Sequence, residues 1–206
     1  MREQFLLIEY EMITIVIPAA TAVLIFRMCR KENHPHTKYL IGILIFMCYL
    51  FLLLHVTGAG TVYDFFRYGI TLKHINLVPF SDTEIDVIGY LLNVVLFLPL
   101  GIILPFLWAE FRNYMSVMLV GAALSLGIEL SQLVNNRATD IDDLILNTFG
   151  AILGFLIYRL ICRVLKLETP AETGMTAEMI LVILAAFWGR FFLFNELGMA
   201  RHLFGF

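Results

Sequence analysis

Glu129 and Gln132 close one apolar stretch of this chain. Asp140, Asp142, Asp143 and Asn147 open the next, and Arg137 stands between them. Asn93 lies within the apolar stretch before both. Polar groups in apolar segments carry a free-energy penalty unless they meet one another or a ligand. Three kinds of chemistry suit such a set. Carboxylates and amides recognise amines and hydroxyls, while Arg137, with Lys73 and Arg67 from an earlier loop, offers candidate contacts to phosphate. Glu129 is a candidate general base. Asp140, Asp142 and Asp143 are candidate oxygen ligands for a divalent cation. Neither a Ser–His pair nor a Cys nucleophile accompanies them, and His74 is the one histidine expected nearby. A packing reading competes. Buried amides and acids form interhelical hydrogen bonds worth about 1 kcal/mol each, and Asp at a helix start caps free amides. Packing covers any one of these residues; three aspartates, a glutamate and an arginine together exceed what it needs.

The elements that must position them follow from composition. The chain has 206 residues, of which 60% are apolar and 15% charged. Such a composition excludes disorder. Fourteen Lys plus Arg against 17 Asp plus Glu leave no basic excess for a nucleic acid partner. Three cysteines exclude a secreted disulfide scaffold; Cys29, Cys48 and Cys162 read as small apolar fillers. An all-α, polytopic helical membrane protein remains, one membrane domain over residues 1–206. Six stretches approach the roughly 20 apolar residues that cross a bilayer. They are Met12–Met28, Tyr39–Thr57, Val87–Trp108, Tyr114–Val134, Leu144–Cys162 and Met179–Phe194. Glu9 and Glu11 precede the first and Arg27, Arg30 and Lys31 follow it, the reverse of a cleavable signal peptide. Arg190, near the end of the last, must snorkel or find a partner. With Arg201 and His202 it reads equally as an interfacial anchor.

Arg27, Arg30, Lys31, Lys38, Arg112, Arg159, Arg163 and Lys166 fall on one side of this topology, and most acids on the other. The basic side is expected to be cytoplasmic, with both termini extracellular. In the fourth span Gly121, Ser125, Glu129 and Gln132 fall within about 80° of one another at helical spacing. Asp140, Asp143, Asn147, Gly150 and Gly154 share a face of the fifth. Small residues let helices approach closely, so the polar groups should face one another across spans three to five, below a cavity open to the outer side. The loop Gly58–Asp86 carries the aromatic run Thr61–Tyr68 and reads as an interfacial or re-entrant segment able to lid the cluster.

At these residues the sequence resembles the VanZ-like family of bacterial membrane proteins. Asn76-Leu77-Val78-Pro79-Phe80 matches its Asn-Leu-x-Pro-Phe element. Asn93, Phe97, Pro99 and Gly101 match the helix that follows. Glu129 and Gln132 match the E-x-x-Q pair; Arg137, Asp140, Asp142, Asp143, Asn147, Gly150 and Gly154 match the last motif. The resemblance covers Ile43 to Leu160, a core of residues 43–160 flanked by additional segments at 1–42 and 163–206. It implies a multi-pass protein of the bacterial cytoplasmic membrane, associated with low-level resistance to the lipoglycopeptide teicoplanin and not with the precursor remodelling that protects against vancomycin. Three functions then compete. First is a protein that binds or shields a membrane lipid or lipid-linked cell-wall intermediate through Asn76, Asn93, Glu129, Gln132, Arg137, Asp140, Asp143 and Asn147. Second is an intramembrane enzyme with Glu129 as base, assisted by a divalent cation. Third is a lipid transporter, bent at Pro99, Gly101 and Pro105. Oligomeric state stays open.

Overall fold

Apolar runs bounded by capping residues set the helices. In a computed structural model, which describes residues 2–30, 37–70, 75–81, 86–135, 137, 139–167, 176–196 and 198–199, seven α-helices form. They are α1 (Arg2–Arg30), α2 (Thr37–Thr57), α3 (Val62–Tyr68), α4 (Val87–Leu107), α5 (Tyr114–Gln132), α6 (Ile141–Leu165) and α7 (Thr176–Leu193). All but α3 are long and apolar enough to cross a membrane, giving the six spans expected. Strands β1 (Ile75–Asn76) and β2 (Thr139–Asp140) form one short parallel pair.

The starts of the helices are written in the sequence. Asp86 accepts the N–H of Gly89 at 3.0 Å, Asn113 that of Met115 at 3.0 Å, and Asp140 that of Asp142 at 2.9 Å. Thr61 and Asp64 form a reciprocal capping box that starts α3. Each bond satisfies an amide that a helix end leaves free.

Glycines bring α4, α5 and α6 together. A Cβ on Gly150 would run into the carbonyl of Val94, and one on Gly154 into that of Leu98. Gly101 meets the Ala151 carbonyl from the other side, and a Cβ on Gly121 would lie 2.8 Å from that of Ala151. The small-residue stripes are therefore the seams of this three-helix unit. Helices α1 and α7 pack on each other, with Gly189 against the Thr14 carbonyl, and α2 touches both groups. Phe46, Phe97 and Trp108 are fully buried between α2 and α4, with Phe46 edge-on to Trp108 at 5.3 Å. Large apolar side chains such as Met28, Ile88, Leu119 and Val164 are exposed around the outside, as lipid-facing surfaces require.

Two buried carboxylates, one near each end of the bundle, meet basic side chains. At the end where α2 and α7 begin, the buried carboxylate of Glu178 takes the Arg27 Nε–H at 2.8 Å and the Tyr39 hydroxyl, with Trp108 Nε1 at 3.4 Å. At the opposite end, Glu11 lies 3.0 Å from Arg190 Nε and 2.7 Å from His55 Nδ1. Arg190 finds a partner: it is 7% exposed and meets Glu11. The first helix begins ten residues before the apolar run at Met12, and that extra length carries Glu11 into the bundle.

Candidate functional site

The sequence-singled residues gather where α2 and α5 end and α4 and α6 begin. Asp140 caps α6, so Asp142 and Asp143 fall in its first turn, next to the positive end of the helix dipole. The chain before it pairs with β1, Ile75 opposite Thr139 and Asn76 opposite Asp140. This pairing lays the segment 75–81 over the start of α6.

Each acid then meets a donor from a different element. Glu129, 3% exposed, accepts the backbone N–H of Asp140 at 3.0 Å. Asp140 Oδ2 accepts from Asn76 Nδ2 at 3.3 Å. Asp142 accepts the Phe80 N–H at 2.8 Å through Oδ1 and the Tyr90 hydroxyl at 2.7 Å through Oδ2. Asp143 accepts from Asn93 Nδ2. One turn deeper, Asn147 Nδ2 donates to Ser125 Oγ at 2.9 Å. Thus α4, α5, α6 and the Asn76–Phe80 segment close on one polar cluster. That segment lies against Asp140 and Asp142 through the Asn76 amide and the Phe80 N–H. Asn76 shapes it, its Oδ1 taking the Val78 N–H and the Ser81 hydroxyl, both at 3.1 Å. Phe80 ends it at φ +53°, a left-handed conformation that bulky residues rarely adopt.

Arg137 does not reach Glu129. Its Nη1 donates to the Thr57 carbonyl at 2.9 Å, where Gln132 Nε2 also donates at 2.9 Å. Asn135 Nδ2 takes the next carbonyl, Gly58, at 2.7 Å. Gly58 sits at φ +59°, and a Cβ there would come within 2.6 Å of the Arg137 guanidinium carbon. Arg137, Asn135 and Gln132 therefore tether the end of α2. Glu129 takes a backbone amide instead because the turn after α5 points Arg137 toward α2.

The three aspartates face different donors, and among the described residues no three acidic, His or Cys side chains are placed to hold a metal ion. Arg67 lies on α3, over the Tyr68 ring at 5.2 Å, and lines a cavity between α3 and the end of α7, away from the cluster. Lys73, His74, Arg201 and His202 lie outside the described residues.

Sequence reasoning missed Tyr90, although it stands one turn before Asn93 and so on the same face of α4. It also missed Thr57 and Gly58, which act through backbone carbonyls that no side-chain pattern reveals. Two acceptors in the neighbourhood stay unsatisfied among the described residues: Gln132 Oε1 and Asn147 Oδ1 are both buried with no hydrogen-bond partner.

The family model described as VanZ/LLP1 matches residues 40–163, more than half of the chain. The match takes in α2 from its first turn, α3 to α5 and nearly all of α6, and leaves α1 and α7 outside. No curated protein and no solved structure matches this chain.

Proposed function

The chain belongs to the VanZ/LLP1 family and has the helices of a multi-pass membrane protein; on that premise we propose that it binds or shields a lipid-linked component of the bacterial cell envelope. The binding site is the polar cluster at the meeting of α4, α5 and α6, facing the outer side of the cytoplasmic membrane. The observation that carries this reading is that Gln132 Oε1 and Asn147 Oδ1 are buried acceptors without a partner among the described residues, on the same helices as the buried Glu129 and the aspartates. A buried acceptor without a donor costs about 1–3 kcal/mol, and a ligand bearing donors would recover it. Sugar hydroxyls, amides and amines are such ligands, and lipid-linked cell-wall intermediates carry them. The Asn76–Phe80 segment, held by Asp140 and Asp142, would have to lift or shift to admit one.

Protection against teicoplanin follows if this occupancy denies the drug's acyl chain its place at the membrane. The test is susceptibility of a sensitive Gram-positive host expressing this protein, its Glu129→Gln variant and its Asp143→Asn variant at matched membrane abundance. Protection against teicoplanin but not vancomycin, lost in both variants, supports the reading. Equal protection by all three proteins reduces these residues to interhelical packing, and absence of protection removes the resistance role.

A further inference from the structure

A cavity of about 210 Å³ lies between α3 and the end of α7. It is smaller than the roughly 300–1,000 Å³ of sites for drug-sized ligands, so it admits a headgroup and not a whole lipid. Arg67, Tyr68 and Asp64 of α3 line it on one side, and Arg190, Phe194 and Glu196 on the other.

Arg190 is the telling residue. It is 7% exposed and lies over the Phe194 ring at 4.4 Å. Its Nε is 3.0 Å from Glu11 Oε1, yet the two are not aligned as a hydrogen bond, and its Nη1 has no partner among the described residues. A buried guanidinium with unused N–H groups seeks an anionic oxygen. Glu11 Oε1 faces Nε as an ion pair while His55 holds Glu11 Oε2 at 2.7 Å, and Nη1 is left without a partner among the described residues.

The acids decide what kind of anion fits. Glu11, Asp64 and Glu196 act on Arg190 as opposite charges and Arg137 as a like charge. Asp64 Oδ2 is engaged by Thr61, at 2.8 Å from its N–H and 2.7 Å from its hydroxyl, while Glu196 is exposed. A bare dianion would approach Arg190 past these carboxylates. A zwitterion would satisfy both signs. The exposed aromatic rings of Tyr63, Phe65, Phe66 and Tyr68 on the same short helix are of the kind that sits at headgroup depth.

We propose that this cavity binds a phosphoethanolamine group, its phosphate toward Arg190 and its ammonium toward Asp64 and Glu196. The site is separate from the polar cluster, and its two inner walls come from α7 and α3, so it stands or falls independently of the function proposed above.

The full-length protein in detergent is offered an equimolar mixture of phosphatidylethanolamine, phosphatidylglycerol and phosphatidylcholine, and the retained lipid is read by native mass spectrometry. Phosphatidylethanolamine should be retained about tenfold over the other two, the effect of one charge-assisted hydrogen bond. Glu196→Gln should reduce that preference. The double variant Glu11→Gln/Arg190→Gln, which removes both charges of the buried pair and leaves none alone, should abolish it. Displacement by soluble phosphoethanolamine assigns the site to the free group, and resistance to displacement assigns it to the bilayer lipid. Equal retention of the three lipids, a preference for phosphatidylglycerol, or a preference unchanged in both variants would overturn the proposal.

Discussion

The Asp142 carboxylate accepts the backbone N–H of Phe80 at 2.8 Å while Phe80 is held at φ +53°. A helix-start aspartate thus fixes a loop residue in a conformation that costs about 1–3 kcal/mol by itself. The same carboxylate holds the Tyr90 hydroxyl at 2.7 Å, so one side chain joins α6, α4 and the segment over the cluster. Asp142→Ala removes both bonds, each worth about 1.5–3 kcal/mol for a charged acceptor. Hydrogen exchange across 75–81 should then quicken by at least about tenfold, while exchange in the middle of α4 and α6 stays unchanged. Unchanged protection of 75–81 would show that the segment is held by other contacts.

The ion pair of Glu11 and Arg190 ties α1 to α7. Removing Glu11 leaves the buried Arg190 without its partner and should lower stability by about 3–5 kcal/mol, and removing Arg190 leaves Glu11 with His55 alone. Glu11→Gln and Arg190→Gln should each lower the unfolding temperature in detergent, and the double variant should recover most of the loss. Additive losses would show that the two charges act independently.

Glycine seams predict opposite outcomes for the same substitution. Gly154→Ala places a methyl group on the Leu98 carbonyl and should force α4 and α6 apart. Gly127→Ala places one 3.5 Å from the Phe187 ring, an ordinary contact, and should be tolerated. Yield and size-exclusion profiles of the two variants check this: monodisperse Gly127→Ala protein and little or aggregated Gly154→Ala protein are expected.

Much of this architecture was legible in the sequence because it rests on local pattern. Apolar length marked the six spans. Gly121 and Ser125 on α5, and Gly150 and Gly154 on α6, stand at helical spacing, so the seam could be read before any partner was known. Asp140 stands where a cap must stand. The ion pairs were not legible, because Glu11 with Arg190 and Glu178 with Arg27 join opposite ends of the chain. Their only trace is that each is a charge in or beside an apolar run. Arg137 is the basic residue nearest Glu129 in sequence, and nearness alone would pair the two. The turn after α5 and the two open carbonyls at the end of α2 decided otherwise, and both are backbone features that side-chain spacing does not encode.

The glutamate at the centre of the cluster gives the most direct test. Binding of a polyprenyl-diphosphate-linked N-acetyl sugar to the full-length protein in nanodiscs is compared with binding of the polyprenyl phosphate alone. It is measured for the unaltered protein and for Glu129→Gln, Asn147→Leu and Gln132→Met. The account predicts preference for the sugar-bearing lipid by about tenfold, the effect of a hydrogen bond to a charged acceptor or of two neutral ones, and loss of that preference in all three variants. Equal binding of both lipids, or a preference that survives the three substitutions, would contradict it.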